Sequence, residues 1–157
     1  METALEMEKE QISMLNYSLK FNRMLYEKGV KDLDQEDSLN SPSELINPPN
    51  WILGHVVATR ADLLKKLEIE PGIPKQFVKT YKRGSDRITS DTAYDLKEID
   101  GYFIKSDHKL VEFFEESSSI AKLNTEVAEM ILSYFLHEAY HLGQVGLCRR
   151  FLGKETI

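Results

Sequence analysis

The segment Tyr134-Phe135-Leu136-His137-Glu138-Ala139-Tyr140-His141-Leu142-Gly143-Gln144 holds two of the chain's four histidines, spaced i and i+4. Apolar residues around it, Met130, Ile131, Leu132, Val145, Leu147, Phe151 and Leu152, recur at helical spacing. On a helix, positions i and i+4 lie about 40° apart in azimuth and roughly 5–6 Å apart at Cβ. Two imidazoles so placed can share one metal ion, each nitrogen at about 2.0–2.1 Å if the ion is zinc. The plain alternative is a surface pair. Azimuth weighs against it, because Met130, Tyr134, His137, His141 and Cys148 fall within about 60° of one another. The histidines share a stripe with apolar residues and are expected to face inward. There, an unliganded pair carries unpaired polar nitrogens at a cost.

A third histidine belongs to a second helix. That helix opens after Pro48-Pro49, with Asn50 as the expected N-cap. Trp51, His55, Ala58 and Asp62 fall on one face, and Ile52, Val56, Leu63 and Leu67 on its neighbour. Alone, His55 reads as a core histidine. Beside the His137/His141 pair it becomes the third candidate ligand. Asp62 lies two turns on, about 10 Å along the axis, too far for the same ion. It is expected to line a pocket or to be a solvated edge charge. Thr59, one turn on, is close enough to support the site.

The elements that must position these residues are helical. The chain has 157 residues, consistent with a single domain over 1–157. A first helix is expected from about Leu5 to Leu33. Ile12, Leu15, Leu19, Asn22 and Tyr26 form one stripe, with Met14, Tyr17, Phe21 and Met24 beside it. Core packing is the commoner origin of such a wide apolar face; a partner subunit is the other. Asp34 to Pro49 reads as a loop, rich in turn residues. Pro71 to Asp91 is long for a connection and carries Phe77-Val78-Lys79-Thr80-Tyr81-Lys82-Arg83-Gly84, with aromatics between cations.

A third helix is expected from near Thr92, with Asp95 in a weak capping box. Leu96, Ile99, Phe103, Leu110 and Phe114 form its core stripe. His108 points away from that stripe. Asp107 falls on it, which is unexplained by pattern alone. Ser117-Ser118-Ser119 is the expected stop. The fourth helix runs from about Asn124 to Leu152, with Gly153 as its terminator. The expected fold is all-α, a four-helix bundle with a long loop between helices two and three.

Charge narrows the function. The net charge of −6 argues against nucleic acid, which needs clustered cations. No apolar run approaches a membrane span. The acidic Met1-Glu2-Thr3-Ala4-Leu5-Glu6 start lacks the features of a signal peptide. The lone Cys148 excludes an internal disulfide and suits a reducing compartment, so a cytoplasmic protein is expected. Cys148 lies about 10 Å along the axis beyond His141, too far to ligate the same ion, and reads as a small core residue.

Two segments now resemble the DinB-like superfamily of metal-dependent helical proteins. One is Asn50-Trp51-Ile52-Leu53-Gly54-His55. The other is His137-Glu138-Ala139-Tyr140-His141-Leu142-Gly143-Gln144. Tyr81-Lys82-Arg83-Gly84 is similar to that family's long connection before helix three. The resemblance covers nearly the whole chain, and the histidine triad is its specific part. It implies a bundle holding a divalent metal, nickel or zinc first, with iron or manganese as further choices. It implies His55, His137 and His141 as ligands, and a homodimer. Characterised relatives include thiol S-transferases, which join low-molecular-weight thiols to electrophiles, and a thiol-dependent maleylpyruvate isomerase.

A rival pattern overlaps the second segment. His137-Glu138-Ala139-Tyr140-His141 fits HExxH, in which Glu138 would be the general base of a zinc protease. That reading needs a downstream ligand. No histidine follows His141, and Glu155, the only later carboxylate, lies beyond the Gly153 stop.

Three neutral imidazoles leave an ion's full charge and open positions on the site. Such an ion lowers the pKa of bound water toward ~7 or holds a thiol as thiolate. The residues leave thiolate and hydroxide chemistry open, and the resemblance makes thiol transfer to an electrophile the expected function. The alternatives are a metal-dependent hydrolase or isomerase of a small molecule, or a non-catalytic metal-binding protein. Tyr134 and Gln144 flank the pair and are expected to line the pocket. Glu138 is a base, an anchor for the site, or an interhelical salt-bridge partner, the last being the expectation.

Overall fold

The computed structural model describes residues 2–116 and 123–157. The Ser117-Ser118-Ser119 stop expected for the third long helix lies outside the described residues. Among the described residues the chain is all-α, with six helices and no strand. They are α1 (Glu2–Val30), α2 (Gln35–Leu39), α3 (Pro49–Lys66), α4 (Lys75–Tyr81), α5 (Leu96–Glu115) and α6 (Thr125–Phe151). None is long and apolar enough to cross a membrane.

Local sequence sets the helix ends. Pro49 occupies the first turn of α3 and the extended Pro48 precedes it. Proline is preset for that position and lacks the N–H that would go unpaired there. The expected N-cap, Asn50, is therefore already inside the helix, and its side chain is free for other work. Asp95 is the N-cap of α5, accepting from Lys97 N at 2.8 Å, so the helix starts later than Thr92. Asn124 caps α6 through Val127 N, and Gly153 terminates it at φ +71°. α1 stops at Val30, short of Leu33, where Asp32 takes φ +58°.

Both expected loops contain a short helix. Asp34 caps α2 by accepting from Asp37 N at 2.8 Å. α4 forms inside the Pro71–Asp91 connection, where Phe77 and Tyr81, four apart, are both buried. Burial of these two rings supplies the stability that so short a helix lacks alone.

α6 packs on α1 and α3; α3 also packs on α5 and α4, and α1 touches α5. The buried apolar residues divide into two clusters. One holds Tyr26, Trp51, Val57, Phe103, Leu142 and Val145 among others. The second holds Leu15, Leu19, Leu63, Leu110, Phe114 and Phe135 among others. Along every long helix a buried polar residue marks the boundary: Asn22 on α1, Arg60 on α3, Asp107 on α5 and Glu138 on α6.

Arg60 is the centre of this polar layer and is 1% exposed. Its Nε and one terminal nitrogen donate to the two oxygens of Glu138 at 2.8 and 2.7 Å. Its other terminal nitrogen donates to Asp107 at 3.1 Å, and its guanidinium lies 4.0 Å over the Phe103 ring. Arg23 of α1 reaches the second oxygen of Asp107 at 2.6 Å. Two cations thus face two carboxylates, and the layer is neutral. This accounts for Asp107 on an apolar stripe. Burial alone would lower the Arg60 pKa, but the two acids outweigh that and hold it above its ordinary value.

The outer stripe of α1 is not core. Met14, Tyr17, Phe21 and Met24 are exposed, as are Leu132, Leu136 and Leu147 on α6. The inner stripe, Leu15, Leu19, Asn22 and Tyr26, is buried as its spacing implies.

Candidate metal centre

His55 projects from α3, and His137 and His141 from successive turns of α6. The contact between α3 and α6 brings them together: one nitrogen from each lies within 4.8 Å of the other two. The rings meet edge to face, with centroids 4.4 to 5.5 Å apart. His55 is buried, His141 is 9% exposed, and His137 is exposed. His108 is exposed on α5 and takes no part.

His55 and His141 are each fixed by the far nitrogen of the ring. His55 Nδ1 lies 2.8 Å from the Tyr81 carbonyl oxygen, which can only accept. The Nδ1–H tautomer follows, with the Nε2 lone pair left bare. His55 also stacks on Trp51, centroids 4.8 Å apart and 9° from parallel. His141 Nδ1 lies 2.8 Å from Gln144 Oε1, whose amide nitrogen donates to the Tyr140 hydroxyl at 3.2 Å. His141 therefore also presents Nε2.

Three neutral imidazoles are a donor set suited to a divalent ion, and one pair already has the spacing. His141 Nε2 and His137 Nε2 are 3.0 Å apart. Nitrogens at about 2.0–2.1 Å from one ion, at angles of about 90–110°, are separated by about 2.9–3.4 Å. All three nitrogens lie within 4.8 Å of one another, so the rings would draw together by up to about 1.4 Å to reach that spacing around one ion. Burial pushes all three imidazoles below their ordinary pKa, His141 to about 4, and the Arg83 guanidinium adds to the effect at His55 and His137. They are neutral at pH 7, the form a metal requires. Among the described residues no fourth His, Cys, Asp or Glu joins the group.

The Tyr81 carbonyl is where it is because of Gly54. A Cβ at Gly54 would stand 2.4–2.6 Å from Tyr81 ring atoms, so only glycine lets that ring lie against α3. Asn50 holds the ring's other end. Its Oδ1 accepts from the Tyr81 hydroxyl at 2.7 Å, and its amide nitrogen donates to the Tyr94 carbonyl at 2.9 Å. Every polar or small residue of Asn50-Trp51-Ile52-Leu53-Gly54-His55 thus serves the orientation of His55.

A cavity of about 430 Å³ opens beside His55 and His137. Ala58, Thr59, Asp62, Tyr134, Lys82 and Arg83 contribute to its wall. The Tyr134 hydroxyl donates to Asp62. Burial first, then this carboxylate, raises the Tyr134 pKa, so the phenol keeps its proton at neutral pH. Thr59 bonds back to the His55 carbonyl at 2.8 Å and presents its remaining surface to the cavity.

Glu138 does not face this cavity. Both its oxygens are taken by Arg60. Cys148 is fully buried. Sequence reading passed over Arg60, Asn50 as a support, and the Tyr81 carbonyl. Only Arg60 left a trace: a cation in the middle of a mostly apolar helix, α3, matching the unexplained Asp107 on α5.

No protein-family model matches this chain, and no curated protein matches it.

Proposed function

We propose that this chain is a divalent-metal-binding protein of the DinB-like kind. In this reading α1, α3, α5 and α6 are the helices of a four-helix bundle, and His55, His137 and His141 hold nickel or zinc. Its activity is transfer of a low-molecular-weight thiol to an electrophile. The observation that carries the reading is the convergence of three imidazole nitrogens, two with their far nitrogens hydrogen-bonded, beside a cavity of about 430 Å³.

A divalent ion bound there would supply positive charge that stabilises an anion, thiolate or hydroxide, at neutral pH. The protein's own residues set the rest. Tyr81 and Gln144 fix two ring orientations, and Trp51 excludes water from one face of His55. The exposure of His137 leaves one side of the site accessible. The sulfur–carbon bond forms as the electrophile's leaving group departs with its electron pair, and the thiol proton passes to solvent. Glu138 is unsuited to general-base work because Arg60 occupies it, which weakens the HExxH hydrolase reading.

The exposed apolar stripes on α1 and α6 support a homodimer. Light scattering after size exclusion tests it, and a monomer at all concentrations would refute it.

The decisive experiment has two steps. Elemental analysis should give one metal per chain, lost in His55→Ala, His137→Ala and His141→Ala but kept in His108→Ala. Metal-loaded protein is then given a thiol panel and monochlorobimane. Metal-dependent conjugation abolished by His137→Ala is expected. Cleavage of an ester or amide panel without conjugation would replace the transferase by a hydrolase. Absence of both would leave a metal-binding protein without catalysis.

A further inference from the structure

We propose that the cavity beside the histidines selects a thiol bearing a carboxylate, and that Lys82 and Arg83 are its specificity-determining residues. The thiol end rests on the transferase reading above; the anion end rests on the following placement. Both cations contribute to the wall of the cavity that His55 and His137 line. Among the described residues, neither has a carboxylate partner. Asp62, the acid in the same wall, already accepts from the Tyr134 hydroxyl.

The two cations are not on a loose loop. Tyr81, immediately before them, is buried and held at three points. Its hydroxyl donates to Asn50 and accepts from Tyr94 N at 2.9 Å, and its carbonyl meets His55. Just after them Gly84 takes φ +75°, and Ser85 Oγ accepts from the Trp51 indole at 3.1 Å. Lys82 and Arg83 therefore span a short bridge pinned at both ends to α3, the helix that carries His55. Both side chains are exposed, and a guanidinium carried on a backbone so held offers paired N–H donors to a carboxylate, a charge-assisted arrangement that a neutral ligand cannot match. The cavity volume of about 430 Å³ suits a small molecule.

The test uses full-length protein loaded with cobalt and three thiols of similar size: 3-mercaptopropionate, 2-mercaptoethanol and cysteamine. Binding is read from the sulfur-to-cobalt charge-transfer band, which needs no turnover. Trp51, the single tryptophan and stacked on His55, gives a second signal by fluorescence, used with propionate and propylamine as thiol-free probes. Expected is at least a roughly tenfold preference for 3-mercaptopropionate over both other thiols. K82Q/R83Q should erase that preference while cobalt content and circular dichroism stay unchanged. Propionate, not propylamine, should perturb Trp51 fluorescence in the parent protein alone.

Equal affinity for all three thiols, or a preference that survives K82Q/R83Q, overturns the proposal and leaves thiol binding intact. If no thiol gives the charge-transfer band while propionate still acts through Lys82 and Arg83, the thiol reading fails and the anion clamp stands. Silence from both signals sinks both.

Discussion

Glu138 and Arg60 form a two-point ion pair inside the protein, with the side chains 3% and 1% exposed and both carboxylate oxygens engaged. Glu138 is the residue after a candidate ligand, yet its chemistry belongs to the core. Glu138→Gln should therefore act on stability. Removing one partner of a buried pair typically costs about 3–5 kcal/mol. Denaturant unfolding should show that loss, with metal stoichiometry retained in protein folded at low temperature. An unchanged unfolding midpoint together with lost activity would make Glu138 an acid–base residue after all.

Gly54→Ala should weaken metal binding although residue 54 touches no ligand nitrogen. The added methyl drives the Tyr81 ring away and takes its carbonyl from His55. Loss of such a supporting contact typically lowers metal affinity about 10–100-fold. Chelator competition measures it. Affinity equal to that of the parent would show that the Tyr81 carbonyl is dispensable.

Gln144→Leu tests the equivalent support on α6. It removes the acceptor of His141 Nδ1. A drop in metal affinity of at least about tenfold is expected, with Gln144→Glu retaining affinity because a carboxylate accepts the same hydrogen bond. Equal loss in both variants would point to packing instead of hydrogen bonding.

The metal-stripped protein should lose stability in mild acid. Burial lowers the His141 pKa to about 4, while an unfolded histidine titrates near 6.5. Below pH about 6.5 the unfolded chain takes up a proton that the folded chain refuses, so unfolding is favoured. The contribution is fully present above that pH and declines until about pH 4. Urea midpoints in chelator at pH 7.5, 5.5 and 4.5 should fall more steeply for the parent than for His141→Gln. Parallel curves would mean the ring is not held neutral.

The four long helices and the three histidines were legible because they rest on short-range rules. Apolar spacing gave the stripes Leu15, Leu19, Asn22, Tyr26 and Leu96, Ile99, Phe103, Leu110, Phe114, and Asn124 and Gly153 mark their helix ends by backbone chemistry. α4 was hidden for a physical reason. With two buried rings in seven residues between Pro74 and Lys82, it is too short to display a helical period. Its stability comes from α3, which pattern reading does not see. Arg60 was hidden because almost every position of α3 is buried, so no polar face stands out against which a buried cation would look misplaced. The outer stripe of α1 looked like core because apolar character alone does not say what covers it.

The polar layer has a consequence for how the molecule comes apart. Arg60 joins α3 to α5 through Asp107 and to α6 through Glu138, and Arg23 brings in α1. A chain with only one apolar cluster assembled loses ion pairs that need all four long helices in place, because the layer lies at the seam between the clusters. Half-docked states are penalised more heavily than either cluster alone would require. The two clusters should melt as one cooperative unit, and the amides of α3 on both sides of Arg60 should exchange with solvent through the same global opening.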